Sequence, residues 1–132
     1  MTRPLRRAGS TAVEVGVTLP VLALLLLGVV EWGWAFPRQV ALEHVARDAC
    51  RTGALAHDAA EAPALATARA TERLAEEGFD VDRVQIRVGT VAAPTAGTAL
   101  TVELVAPYQA LIGAVPTPFQ LRGTATMRRE AP

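Results

Sequence analysis

The sequence predicts an α+β fold. A long N-terminal helix crosses a membrane and continues as an amphipathic helix; a second short helix and a three-stranded antiparallel sheet follow. Three observations predict it. A nearly uncharged apolar run occupies Val13–Phe36, an apolar stripe at helical spacing continues beyond it, and three runs of period-two alternation fill the C-terminal half. The 132 residues leave room for one small domain outside the apolar run. Thirteen basic and thirteen acidic residues balance, so there is no electrostatic footprint for nucleic acid. Half of the residues are hydrophobic and only 20% are charged, which excludes intrinsic disorder.

The elements follow in order. Residues 1–9, MTRPLRRAG, hold three Arg and no acid. They form a basic leader like the n-region of a targeting signal. Residues 10–37 are expected to span the membrane, and residues 38–132 to form an extracytoplasmic α+β domain. Val13–Phe36 spans 24 residues and carries only Glu14 and Glu31. About 20 mostly apolar residues cross a hydrocarbon core of about 30 Å as a helix. What remains of the chain is too small to surround such a helix, which argues against a buried core element. Arg3, Arg6 and Arg7 should stay cytoplasmic and send the C-terminal part outward, with Arg38 on the far side weakening the bias slightly. Pro20 and Pro37 each remove a backbone donor and should kink the helix.

Beyond Pro37, Leu42, Val45, Ala46, Ala49, Gly53 and Ala56 fall on one stripe at spacings of three and four. Glu43, Arg47, Asp48 and Arg51 lie off it, with Glu43–Arg47 a favourable i,i+4 pair. The helix is expected from about Ala12 to Ala56. After a break at His57–Pro63, a second helix reads Pro63–Glu77, with Arg73–Glu77 at i,i+4 and Gly78 as the stop. Val84, Ile86 and Val88 alternate with polar residues; Leu100, Val102 and Leu104 do the same; Phe119, Leu121, Ala125 and Met127 mark the third strand. Such alternation means one buried and one wet face. Gly89–Gly97 and Ala106–Pro118 read as connections. Arg83, Arg87, Arg122 and Arg128 are expected on the wet face, as a solvated surface or a dock for an acidic partner.

Gly9 and Glu14 carry the functional signal. A basic leader, Gly9, four uncharged residues, Glu14 and then the apolar run resemble type IV prepilins. In that class a membrane peptidase cuts after the Gly, and the Glu becomes the fifth mature residue. Here Gly9–Ser10 would be the scissile bond. Gly9 has no Cβ, so its backbone can extend into a protease cleft. The Arg cluster holds that bond at the cytoplasmic surface. A carboxylate at Glu14 is expensive at the membrane edge and needs a partner. The resemblance implies that this partner is the free amine of a neighbouring subunit. The structural alternatives are an ordinary linker glycine and a charge among lipid headgroups.

The wider segment resembles the TadE-like proteins of the tight adherence pilus system, which are pseudopilins or minor pilins. The resemblance rests on Gly9, Ala12-Val13-Glu14, Leu19-Pro20 with its Leu run, Val29-Val30-Glu31-Trp32-Gly33, Gln39 and Ala46–Arg51. The tail Thr124–Glu130 is similar as well, whereas Pro37 and Cys50 depart from the family's pattern. The resemblance implies a non-catalytic subunit acting in assembly of a Flp-type adhesion pilus. It would be single-pass in the bacterial inner membrane, with its N-terminus cytoplasmic and its sheet domain periplasmic. Its implied partners are other pilins and pseudopilins, the assembly platform, and a prepilin peptidase for which it is a substrate. Glu14, Gly16, Pro20 and Glu31 are the expected subunit contacts. Ala12 and Gly16 form a small-xxx-small pair that permits close helix approach. Glu31, beside Trp32 and Trp34 in an interfacial aromatic belt, reads either as a headgroup-level carboxylate or as a helix–helix contact.

No enzyme frame stands out. His44 and His57 lack a metal-binding spacing, and there is neither a nucleophile elbow nor a phosphate-binding glycine loop. Asp80 and Asp82 read as an acidic turn rather than a cation site. No cofactor, metal, nucleic acid or small-molecule substrate is expected. Cys50 is alone, so it is a small buried residue or a pairing site between chains. The rival reading is a periplasmic binding module. It is either released by a Sec-type cut after Ala35, at the small-x-small site Gly33-Trp34-Ala35, or held by an uncleaved anchor.

Overall fold

The computed structural model describes residues 7–92, 97–111 and 119–129. Arg3 and Arg6 of the leader, Glu130 of the tail, and parts of the two expected strand connections lie outside them. The long helix, α1, runs Arg7–Ala54 and contains both Pro20 and Pro37. Its 48 residues extend about 72 Å at about 1.5 Å per residue. It begins several residues before the expected start and ends two before the expected end. The two halves differ in what covers them. Large apolar residues from Val13 to Val30 are exposed, whereas Leu42, Val45, Ala46, Ala49 and Cys50 are fully buried. The expected stripe is therefore the core face of α1, with Gly53 also buried on it.

Helix α2 runs Ala62–Glu76, with Pro63 in its first turn, where the missing N–H costs nothing. Gly78 ends it at φ 71, a backbone state that glycine adopts without a Cβ penalty. Ala62, Ala66, Ala70 and Leu74 form its buried face. Asp48 of α1 accepts from Arg69 Nε at 2.9 Å and lies 3.6 Å from Arg73 Nε, so an ion-pair cluster fastens the two helices. The expected Glu43–Arg47 pair forms at 3.2 Å. Arg73 meets Glu76 as well as the expected Glu77. A single 3-10 turn, Val81–Arg83, leads into the sheet.

Strands β1 (Gln85–Ala92), β2 (Thr98–Pro107) and β3 (Gln120–Arg129) form an antiparallel sheet in the order β1-β2-β3. Val88, Val102 and Ala125 lie side by side across it. Leu100, Val102, Leu104, Leu121 and Ala125 face the helices. Phe119 is a correction to the expected buried face. It precedes β3, is 54% exposed, and packs edge-on against Tyr108 with ring centroids 5.9 Å apart. The wet face carries Glu103 between Arg122 at 3.3 Å and Arg87 at 3.7 Å. Arg83 instead turns to Asp80 at 3.1 Å. Cys50 donates its thiol to the Leu100 carbonyl at 3.2 Å, and burial pushes the thiol pKa up. It is a core residue and offers no surface for pairing between chains.

The long helix approaches both β3 and α2 closely because two positions lack a side chain. A Cβ on Gly123 would lie 2.5 Å from the Leu42 carbonyl oxygen, so β3 and α1 touch backbone to backbone. A Cβ on Gly53 would lie 2.8 Å from the Ala62 carbonyl oxygen. Backbone cannot give way as a flexible side chain can, and overpacking of this kind costs about 1–3 kcal/mol. Gly123→Ala should therefore destabilise the head by about that amount in denaturant titration of the micelle-embedded protein. Gly89→Ala, where nothing lies within 4 Å, is the control and should leave the midpoint unchanged or slightly raised.

Candidate functional site

Two regions of α1 hold the expected functional residues. Gly9 and Ser10 lie in its N-terminal turns. Glu14, Gly16 and Pro20 follow on the exposed apolar half. A Cβ on Gly16 would have nothing within 4 Å, so that face is open to a neighbouring helix. Among the described residues nothing covers the most apolar stretch of α1, and the helix is long and apolar enough to cross a membrane.

Glu31, at the outer end of the apolar run, is a different case. It is only 6% exposed, and its partners come from its own chain. The Tyr108 hydroxyl donates to Oε1 at 2.5 Å, and the Leu111 backbone N–H donates to the same oxygen at 3.0 Å. Its carboxylate is therefore met by donors of its own chain rather than standing open. Tyr108 and Leu111, which follow β2, close over the helix at Glu31. A desolvated carboxylate requires such donors. The base of the connection between β2 and β3 is closed by the Tyr108 N–H donating to the Phe119 carbonyl at 3.0 Å. Glu31 is spaced four and eleven residues before Ala35 and Leu42, so it extends the core stripe backward toward the uncovered half of α1. That extension is the signal by which the sequence could have assigned it to the head.

Two further side chains anchor the exit of the helix. Arg38 lies over the Trp34 ring at 5.2 Å and the Phe79 ring at 5.1 Å, and donates to the Gly78 carbonyl at 3.3 Å. It joins α1 to the turn after α2 through cation–π contact. Trp34 is thereby held by the head, whereas Trp32 is 72% exposed. Gln39 treats β3 as a neighbouring strand would. Its Nε2 donates to the Arg122 carbonyl at 2.9 Å, and its Oε1 accepts from the Arg122 N–H at 3.3 Å. Because β3 is an edge strand, this amide satisfies backbone groups that would otherwise be open for pairing. Arg129, 8% exposed, donates to the Ala56 carbonyl at 3.0 Å and fastens the far end of β3 to the end of α1. None of these roles was evident from residue spacing.

His44 and His57 are exposed, and Asp80 is engaged by Arg83. Among the described residues there is no group of three or more His, Cys, Asp or Glu placed to hold a metal ion.

Tyr108 reports on the Glu31 contact. Burial first, then the hydrogen bond and the charge of Glu31, push the phenol up to about 12. Its folded value lies above the ordinary value of about 10, so the stability it contributes is intact below pH about 10 and is lost as pH rises toward about 12. Tyr108 is the one tyrosine in the chain, so ultraviolet absorbance of the phenolate reads it alone. We expect a midpoint well above 10 and a downward shift in Glu31→Gln that burial keeps from being complete. A midpoint near 10 in the unsubstituted protein would show that the contact does not hold in solution.

No curated protein and no solved structure matches the chain. The model of the family described as TadE-like protein does match, over residues 9–51, the stretch that runs from the Gly9–Ser10 bond through the uncovered apolar half of α1 and the Glu31 contact to the end of its buried stripe.

Proposed function

We propose that this chain is a pilin-like subunit of the tight adherence pilus apparatus, anchored in the bacterial inner membrane by α1 and acting by assembly rather than catalysis. The observation that carries this reading is the division of α1. One continuous helix is uncovered and apolar over residues 11–30 and welded to an α+β head from Glu31 onward. An uncovered apolar helix of this length needs lipid or sister helices around it. The family match over the same element supports the pilus context. In this reading the leader 1–9 is removed, and the Ser10 amine then pairs with Glu14 of a neighbouring subunit. Gly16 and Pro20 lie on the surface where sister helices pack, and the head stands on the periplasmic side.

The secreted-module reading fits less well, and for a specific reason. A cut after Ala35 would discard Glu31 and leave the buried Tyr108 hydroxyl without its acceptor. A buried donor without a partner costs about 1–3 kcal/mol. The same cut would remove Trp34 from beneath Arg38.

The N-terminal residue of the membrane-extracted protein tests these readings. Ser10 is expected from peptidase processing after Gly9. Phe36 would establish secretion and end the pilin reading, and Met1 or Thr2 would mark an uncleaved anchor. In the Gly9→Leu variant, the mature Ser10 end should disappear while the protein stays in the membrane fraction, because cleavage and anchoring use different residues.

A further inference from the structure

We infer that the cavity beside Arg38 binds the phosphate headgroup of an anionic phospholipid in the outer leaflet. The inference rests on the proposed reading of α1 as a membrane span, and depth along that helix is its first support. From Glu14 to Arg38 is about 36 Å at about 1.5 Å per residue. The hydrocarbon core is about 30 Å thick and the whole bilayer about 40–45 Å. With Glu14 at the inner edge of the core, Trp34 reaches the outer edge. Arg38 then lies about 6 Å beyond it, at the depth of the phosphates.

The cavity is built where three parts of the fold meet. Trp34 and Arg38 come from α1, Phe79 and Arg83 from the turns after α2, and Pro107 from the end of β2. Its volume is about 260 Å³. Sites for drug-sized ligands hold about 300–1,000 Å³, so this one suits a headgroup rather than a helix. Trp34 supplies an apolar wall at the edge of the core, where indole rings settle in a bilayer.

Arg38 gives the cavity its charge. The side chain is half-buried, and its Nη1 donates to the Gly78 carbonyl at 3.3 Å. A guanidinium carries five N–H donors, so most remain for a ligand. Among the described residues no carboxylate pairs with Arg38, whereas Arg47, Arg69, Arg73, Arg87 and Arg122 each meet one. Asp80, the carboxylate on the cavity wall, is taken by Arg83 at 3.1 Å. One positive charge therefore stands without its anion at the depth where a leaflet presents phosphates. Guanidinium and phosphate form charge-assisted bonds that engage two donors at once. The Trp34 and Phe79 rings, at 5.2 and 5.1 Å, already hold the guanidinium in place for such a contact.

Lipid titration of the full chain in maltoside micelles tests this. A Trp32→Phe background leaves Trp34 as the one indole, and its emission reads the cavity. Phosphatidylglycerol, phosphatidylcholine and inorganic phosphate are added separately. Phosphatidylglycerol should saturate at a lower concentration than phosphatidylcholine, and inorganic phosphate should give no response in the same range. Arg38→Gln should raise the half-saturating phosphatidylglycerol concentration about tenfold, the loss of one charge-assisted contact. Arg51→Gln, at the far end of α1, should leave it unchanged. Arg38→Gln also removes the cation beside Trp34, so bound phosphatidylglycerol is counted independently by native mass spectrometry. An equal response to both lipids, or retention that Arg38→Gln leaves intact, overturns the inference. Saturation by inorganic phosphate at the lipid's concentration would make the ligand free phosphate and overturn the leaflet placement. Flotation of the unsubstituted chain with phosphatidylcholine vesicles reads the span separately. A chain that does not float fails as a span; one that floats but shows no lipid preference loses the headgroup site alone.

Discussion

A carboxylate at the end of an apolar helix is the feature around which the head is arranged. Glu31 sits where the uncovered half of α1 gives way to the packed half, and there it has lost its water. A desolvated charge is costly unless strong donors meet it. Tyr108 and Leu111 meet it, and both come from the segment following β2. That requirement fixes where β2 ends relative to α1. The close approach of Gly123 to Leu42 then fixes how β3 crosses the helix, and the Gln39 amide locks the edge of β3 at Arg122. Arg38 secures the opposite side through Trp34 and Phe79. Each contact uses a residue of α1 between positions 31 and 42, so the helix positions the sheet from its exit point outward.

Much of this architecture is legible in the sequence because it rests on periodicity. The stripe Leu42, Val45, Ala46, Ala49, Gly53 is an apolar face whatever covers it, and alternation in β2 leaves little freedom over which side is buried. Gly78 and Pro63 mark their boundaries through backbone chemistry alone. Glu31 was legible as unusual but not in its role. A carboxylate at the edge of an apolar run has the same local sequence whether it meets lipid headgroups, another helix or its own domain. The choice depends on Tyr108 and Leu111, nearly eighty residues away, and spacing carries no information over that distance. Phe119 misled for a related reason. It has the right phase for the buried face of β3, but it lies before the strand begins, so Tyr108 rather than the core receives its ring. Arg129 and Gln39 bond to backbone groups, which any sequence supplies, so neither partner could be named in advance.

The family match ends at Arg51, close to the end of the buried stripe. The element it covers has two surfaces with distinct demands. In the proposed reading, the first half suits a bilayer or sister helices over about five turns of helix. The second must accept β3 so closely that Gly123 of that strand has no room for a Cβ, and α2 so closely that Gly53 has none. Such paired demands narrow the acceptable residues along α1. Alternating apolar residues in β1 through β3 are satisfied by many sequences, and this part of the chain is correspondingly undistinctive.

The coupling between the two halves bears on how such a subunit would work. In a protein tethered by a linker, the anchor and the head move independently, and packing of the anchors says nothing about the heads. Here no linker intervenes. The head makes its first contact at Glu31, immediately past the uncharged run, and the helix continues unbroken beneath it to Ala54. A rotation or tilt of α1 is therefore transmitted to the sheet, because moving one without the other would break the buried Glu31–Tyr108 contact and separate backbones already touching at Gly123. For a subunit that functions by ordered packing, that rigidity is an advantage. In the proposed subunit, the arrangement of packed α1 helices would dictate the arrangement of the heads, with no further contact needed to orient each one.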